Sequence, residues 1–260
     1  MPELRARSEG GVATLTISQT ERLNAMTSEM WEAFPRVLRA LVGEDHTRVV
    51  IIQGDGHAAF SAGADISEFR ERRTSVKDAE RYSAAVSMAL RELVELRVPA
   101  VARVRGVCSG GGAAIALACH VRFASDTLQF AIRSARLGIV YEFEAVEQLV
   151  RVAGQPTAYD LLSSGRTVGA EEARRLGLVN EVFADSDLGR HVDGYARGIA
   201  DNARLPVEGG LVAVASARRP DDRVLRQKLE TLQRQAIESA DYAEGVRAFI
   251  EKRQPRFEGR

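Results

Sequence analysis

Residues 106–118 read Gly106-Val-Cys-Ser-Gly-Gly-Gly112 and then Ala113-Ala-Ile-Ala-Leu-Ala118. Consecutive glycines tolerate backbone conformations closed to other residues, and they leave room for another chain segment to approach closely. The alanine-rich run that follows is typical of a buried helix. The stretch therefore predicts a tight turn that opens a helix against a neighbouring piece of backbone.

On both sides of this turn, strand patterns alternate with helix patterns. Alternating apolar and polar residues, or short apolar runs, predict strands. Apolar residues three and four positions apart predict two helices, one that begins near Thr27 or Ser28 and a second that covers Tyr82 to Leu93. This order favours an α/β fold with a parallel sheet. The predicted strands are Val12–Ile17, Val49–Ile52, Pro99–Val104 and Val121–Ala124.

The second half of the chain reads differently. From Ala145 onward the pattern is almost wholly helical, and Val179–Val182 is the one late strand candidate. We expect a layered or spiral α/β core over residues 1–185 and a helical C-terminal region over residues 186–260.

The amino-acid composition argues against partners such as nucleic acid, a membrane or a metal ion. The 260 residues carry 36 basic and 36 acidic side chains, so no net charge draws the chain to nucleic acid or to anionic lipid. Two cysteines and four scattered histidines offer no metal-ligand spacing. No apolar run is long enough for a membrane span, and residues 1–10 are too polar for a signal peptide. We expect a cytoplasmic protein with no metal, no membrane partner and no nucleic-acid partner.

Several segments together resemble the crotonase (enoyl-CoA hydratase/isomerase) superfamily. The resemblance runs from about residue 10 to the end and implies a crotonase-like spiral of ββα units, with a helical C-terminal region that mediates trimerisation. The segments that carry it are Arg22-Leu-Asn-Ala-Met26, Phe60-Ser-Ala-Gly-Ala-Asp-Ile66, Gly106–Gly112 with Leu137-Gly138, Ala170–Val179 and Ala243–Phe257.

The resemblance also implies a chemistry. Members bind acyl-CoA thioesters and stabilise an enolate in an oxyanion hole, which here would consist of the backbone N–H groups of Ala64 and Gly111. One such donor typically lowers a barrier by about 2.7–4 kcal/mol. Coenzyme A would enter as part of the substrate, with no further cofactor.

The resemblance assigns the coenzyme A contacts to two groups of residues. The first group would lie along the bound coenzyme: Arg22, Ala25, Ala62, Asp65 and Ile66. Phe249 and Lys252 match positions that reach the nucleotide end from a neighbouring subunit, which implies a homotrimer or a hexamer. Packing in the core and a solvated helix face are the alternative interpretations of Phe249 and Lys252.

The chain departs from the hydratases of this superfamily at two positions. Their two catalytic glutamates would align with Ala114 and Ser134, and neither side chain can serve as a carboxylate acid or base. Ordinary two-glutamate hydration is therefore not expected.

The segment after Gly138 supplies other candidates. Some isomerases of the superfamily place a single acidic residue where Glu142 stands, and one carboxylate suffices for a 1,3-proton shift. We expect Val140 and Phe143 to bury Glu142 and to raise its pKa toward working pH. The leading hypothesis is a double-bond isomerase using Glu142.

Three alternatives stay open. The first is decarboxylation, because Tyr141 resembles a tyrosine of decarboxylating members such as methylmalonyl-CoA decarboxylase, although Ala64 stands where that enzyme has a histidine. Hydration with a substitute group is the second alternative. The third is a non-catalytic member that binds CoA thioesters, or RNA through an arginine stripe; the stripe would comprise Arg247, Arg253, Arg256 and Arg260.

Overall fold

The computed structural model describes residues 1–43, 46–69 and 74–259. Ten strands and nine α-helices are present in these ranges. The strands are β1 Glu3–Glu9, β2 Val12–Ser18, β3 Val49–Gly54, β4 Ala59–Ser61, β5 Ala100–Val104, β6 Val107–Ser109, β7 Val121–Ser125, β8 Gln129–Ala131, β9 Thr167–Gly169 and β10 Glu181–Phe183. The helices are α1 Ser28–Gly43, α2 Val76–Val94, α3 Gly111–Ala118, α4 Phe143–Ser164, α5 Ala170–Arg175, α6 Asp185–Ala200, α7 Arg204–Arg218, α8 Arg223–Glu238 and α9 Ala240–Ile250.

The strands form two sheets. The larger has the order β1-β2-β3-β5-β7-β10 and is parallel except for the antiparallel pair β1 and β2. The smaller has the order β4-β6-β8-β9, with β9 antiparallel to β8. Three times in succession the chain runs through one strand of the larger sheet, one of the smaller and then a helix. The predicted spiral of ββα units is confirmed.

Apolar side chains cover both faces of the larger sheet. One face packs on the main core, into which α1 inserts Trp31 and Phe34, both fully buried. The other face is covered by α6, whose Leu188, Val192 and Ala196 pack on residues of β3 and β5. Burial on both faces explains why β3 is a continuous apolar run rather than an alternating one.

The sequence patterns did not predict the smaller sheet or strand β1. Each strand of the smaller sheet has three residues, too few to display an alternation. One of them, β9 at Thr167–Gly169, lies in the stretch expected to be almost wholly helical, so Val179–Val182 is not the one late strand. Strand β1 is exposed along most of its length and therefore shows no apolar pattern.

The helices after Phe183 follow one another without a further strand in the described chain. Helix α4 is the longest, with 22 residues, and it is kinked at Gly154, where φ is +77°. In residues 1–43, 46–69 and 74–259, no helix is both long enough and apolar enough to cross a bilayer.

Candidate active site

A cavity of about 670 Å³ opens beside the smaller sheet, where the segments carrying the glycine-rich motifs meet. It is mostly apolar, with a few convergent polar groups, as small-molecule sites are. Of the predicted site residues, it brings together Arg22, Ala25, Ala62, Ala64, Asp65, Ile66, Gly111, Tyr141 and Glu142.

The first wall of the cavity is a loop built around Asn24. Leu23 and Asn24 both adopt left-handed backbone conformations, with φ of +52° and +56°. The Asn24 side chain donates to the carbonyl oxygens of Asp55 and Ala59 and accepts from the Gln19 N–H. Because a buried amide with three partners fixes the turn, Arg22 and Ala25 are held at the cavity edge.

Two glycine turns meet at the centre of the site. The methyl group of an alanine at position 63 would lie 2.8 Å from the Gly111 nitrogen and 2.7 Å from the Ser109 oxygen. One at position 112 would lie 2.3 Å from the Ser61 oxygen. Backbone therefore packs directly on backbone, which is the close approach predicted from the glycine run.

This contact places the Ala64 and Gly111 N–H groups beside one cavity. Gly63 has φ of +99°, and Met26 brackets the turn by donating to the Gly63 oxygen and accepting from the Asp65 N–H. Neither the Ala64 nor the Gly111 N–H donates a hydrogen bond to any residue that the structure describes. Gly111 is also the first residue of α3, where the helix dipole favours negative charge.

Asp65 anchors the rim of the cavity. Its carboxylate accepts hydrogen bonds from Gln19 at 2.9 Å, from Arg22 at 3.0 Å and from the Ser67 N–H and hydroxyl. Burial by itself would raise the pKa of Asp65, but the hydrogen bonds from Ser67 and Gln19 and the Arg22 charge outweigh it and lower that pKa. Asp65 is therefore an ionised group that holds the loop and orients Arg22.

Tyr141 reaches back to the glycine turn. Its hydroxyl donates to the Gly110 carbonyl oxygen at 2.7 Å. Burial, followed by the nearby Glu142 charge, raises the pKa of Tyr141 well above its ordinary value, so the phenol stays protonated.

Glu142 lines the cavity at the residue that precedes α4, and the Ser83 hydroxyl of α2 lies 3.4 Å from its carboxylate. The expectation that Val140 and Phe143 bury Glu142 is wrong, because their side chains are 92% and 75% exposed.

Glu144, two residues further on, has a different environment. Its buried carboxylate accepts from Ser87 at 2.8 Å and from Arg91 Nε at 2.8 Å, which ties α4 to α2. Burial would raise the pKa of Glu144, yet these two hydrogen-bond partners outweigh it and lower that pKa. The group is a structural anchor, turned away from the cavity that Glu142 lines.

The positions of the two missing hydratase glutamates differ in surroundings. Ser134 lines the cavity, whereas Ala114 is 1% exposed in the core beneath it. The two cysteines, Cys108 and Cys119, are also buried, and burial raises the pKa of the Cys119 thiol to about 12, so neither is poised as a nucleophile. Among the described residues, no group of three or more histidine, cysteine, aspartate and glutamate side chains could hold a metal ion.

Phe249 and Lys252 lie away from this cavity. Phe249 is 85% exposed and borders an apolar groove of about 400 Å³ on the C-terminal helices, and Lys252 follows α9 on the surface. The neighbouring arginines are engaged: Arg247 and Arg253 both pair with Glu244. The fourth residue of the proposed arginine stripe, Arg260, lies outside the described residues.

Several lining residues were not predicted. Trp31 is fully buried, borders the cavity with its ring edge against Gly111, and has an indole N–H without a partner among the described residues. Tyr82 and Val86 project from one face of α2, and Phe69 contacts Tyr82 edge to face. The four-residue spacing of Tyr82 and Val86 indicated a packed helix face, but no sequence signal distinguished a cavity wall from a core.

The fold and the cavity define a class: an α/β spiral of ββα units with a mostly apolar cavity where two glycine turns meet. Comparison with known proteins agrees. The family model for enoyl-CoA hydratase/isomerase matches residues 7–260. The chain belongs to this family and thus to the crotonase superfamily.

Relatives within the family differ in reaction. The chain is 32% identical to a short-chain-enoyl-CoA hydratase of Clostridium acetobutylicum, over 94% of this chain and 93% of that protein. It is 31% identical to a 1,2-epoxyphenylacetyl-CoA isomerase of Escherichia coli K12, over 97% of each. A crystal structure of an enoyl-CoA hydratase/carnithine racemase from Magnetospirillum magneticum superposes with a TM-score of 0.94 at 31% identity, covering 100% of this chain and 97% of that one.

Proposed function

We propose that the protein is a double-bond isomerase of short acyl-CoA thioesters. The thioester oxygen accepts from the Ala64 and Gly111 N–H groups, and Glu142 carries the proton. The observation that supports this most directly is which carboxylate side chains line the cavity. Of the described residues that line it, Asp65 and Glu142 carry carboxylates, and Asp65 is engaged by four donor groups.

The proposed reaction needs one base and no water. Glu142 removes a proton from C2 of a 3-enoyl thioester, and the electron pair delocalises over the thioester oxygen and the C3–C4 double bond. The two N–H groups stabilise the resulting negative oxygen. Return of the proton to C4 leaves the double bond between C2 and C3, with all atoms conserved.

Coenzyme A is proposed to run along the rim formed by Arg22, Ala25, Ala62, Asp65 and Ile66. Arg22 is held there by Asp65, and its guanidinium is half exposed, so it can meet a phosphate. No cofactor beyond the coenzyme A of the substrate enters the proposal.

Glu142→Gln tests the assignment of the base. Both the 2-enoyl and the 3-enoyl isomer of a short acyl-CoA are incubated in D2O and followed by NMR. The wild type should move the double bond and introduce deuterium at C2 or C4, and the variant should do so about 10²–10⁴-fold more slowly. Glu147→Gln is the matched control, because Glu147 lies on the exposed side of α4 outside the cavity.

Other outcomes separate the alternatives. A 3-hydroxyacyl product would indicate hydration by a substitute group. CO2 release from a malonyl-type thioester would indicate decarboxylation. Unchanged isomerisation by Glu142→Gln would refute the role given to that carboxylate.

We further propose a homotrimer or a hexamer in which Phe249 and Lys252 reach the nucleotide end of a neighbouring subunit's site. The support is the exposure of Phe249 on an apolar groove that shares no lining residue with the cavity of its own chain. Light scattering should give three or six subunits, and Phe249→Ser should weaken acyl-CoA binding. A monomer with full affinity would contradict the proposal.

A further inference from the structure

We infer that Tyr141 is a positioning residue: by donating to the Gly110 carbonyl, its hydroxyl sets the direction and the donor strength of the Gly111 N–H. The inference rests on the proposed function, in which that N–H binds the thioester oxygen. It assigns Tyr141 a role through the backbone rather than through contact with the reacting atoms.

Tyr141 acts on the Gly111 N–H through the peptide group that joins Gly110 to Gly111. The carbonyl of Gly110 and the N–H of Gly111 belong to one planar unit and point in opposite directions across it. A hydrogen bond that fixes the carbonyl therefore fixes the N–H as well. The 2.7 Å bond from Tyr141 acts on the carbonyl end of the peptide whose other end faces the cavity.

This peptide needs an external restraint. It lies between two glycines, so it has no Cβ on either side to limit its rotation. Gly110 has φ of +49° and ψ of −117°, a conformation that favours glycine. The Ala114 N–H also donates to the Gly110 oxygen, at 3.0 Å, as the first turn of α3. Tyr141 supplies the second hydrogen bond, from outside the helix.

The same bond strengthens the donor. Hydrogen bonds polarise one another along a chain, more so in a low-dielectric interior. A carbonyl that accepts two bonds withdraws electron density from its own peptide nitrogen, which makes the Gly111 N–H more acidic. Because burial raises the pKa of Tyr141 well above its ordinary value, the phenol remains a donor throughout the working pH range.

The test measures the bound thioester carbonyl itself. Butyryl-CoA labelled with 13C at the carbonyl is saturated and cannot isomerise, and its C=O stretch shifts to lower frequency when donors polarise it. We expect a clear shift in the wild type, a smaller one in Tyr141→Phe, and a larger one when 3-fluorotyrosine, a stronger donor, replaces Tyr141. Tyr159→Phe is the control, because Tyr159 lies exposed on α4 outside the cavity.

Kinetics provide the second readout. Tyr141→Phe should lower kcat by about tenfold, the equivalent of one hydrogen bond at 1.4 kcal/mol. KM should change less than threefold, since the proposed coenzyme A contacts along the rim are retained. A general loss of packing in Tyr141→Phe would instead change KM and the melting temperature together with kcat.

The outcomes distinguish this inference from the function beneath it. A wild-type shift that Tyr141→Phe leaves unchanged would overturn the positioning role and leave the proposed function intact. No shift in the wild type at saturating butyryl-CoA would reject the oxyanion hole, and the inference with it. A smaller shift in Tyr141→Phe and a larger one with 3-fluorotyrosine would support it.

Discussion

Gly63→Ala places one methyl group at the junction of the two turns that carry the proposed oxyanion donors. The new Cβ would lie 2.7 Å from the Ser109 oxygen and 2.8 Å from the Gly111 nitrogen. Both are backbone atoms, so neither can move aside as a flexible side chain would. The turns must separate by several tenths of an ångström, which takes at least one N–H group out of position.

The magnitude follows from two separate costs. At φ of +99° an alanine is strained by about 1–3 kcal/mol, and overpacking adds about 1–3 kcal/mol to the loss of unfolding free energy. Losing one oxyanion donor should lower kcat by about 10²–10³-fold. Urea denaturation followed by circular dichroism measures the first quantity, and isomerisation at saturating substrate measures the second.

Gly56→Ala is the matched control. Gly56 also has a positive φ, +71°, but a methyl group there meets no heavy atom within 4 Å. The control should lose about 1–2 kcal/mol of stability and keep its kcat. A folded Gly63→Ala protein with wild-type kcat would refute the argument, as would equal losses of kcat in the two variants.

Three further predictions concern stability. Because its folded-state pKa is lowered, Glu144 stabilises the protein above its ordinary pKa near 4.5 and loses that contribution as pH falls below it, so Glu144→Gln should cost about 1 kcal/mol in urea denaturation at pH 7 and less at pH 3.5. Burial, together with nearby arginines, lowers the pKa of His120 to about 4, so the wild type should lose up to about 3 kcal/mol between pH 6.5 and 4. His120→Asn, which can still accept the Ala100 N–H, should show a flatter pH profile, and an identical profile would contradict the assignment. Asn24→Ala should lower the unfolding free energy by about 2–4 kcal/mol in thermal or urea melts, since it leaves buried backbone groups unpaired; a change below 1 kcal/mol would contradict this.

The parts of the site that depend on backbone geometry could be predicted from the sequence. Glycines at 63 and at 110–112 predict that two backbone segments approach closely, and the structure brings these two turns into contact. Strands β2, β3, β5 and β7 of the larger sheet were predictable because each has five or more residues, enough to show an alternation or an apolar run, whereas the exposed β1 was not. The residues assigned to the cavity by resemblance, from Arg22 to Glu142, do line it.

The remaining features depend on distant parts of the chain. Three-residue strands such as β9 are stabilised by their neighbours in the sheet and carry no pattern of their own. The Tyr141 hydrogen bond joins residues 31 positions apart and ends on a backbone oxygen, which no side chain announces. Trp31 has the burial of a core residue and the position of a cavity wall at once.

The kink of α4 at Gly154 divides this helix into two segments with separate tasks. The first begins beside Glu142 and carries Glu144, whose hydrogen bonds to α2 hold that end in place. The second ends at Ser164, just before β9 closes the smaller sheet. Because Gly154 has φ of +77°, the helix bends at a residue where a side chain with a Cβ would be strained, and the two segments run in different directions. One helix therefore serves two parts of the fold: its first segment carries the contacts to α2, and its second leads into the smaller sheet.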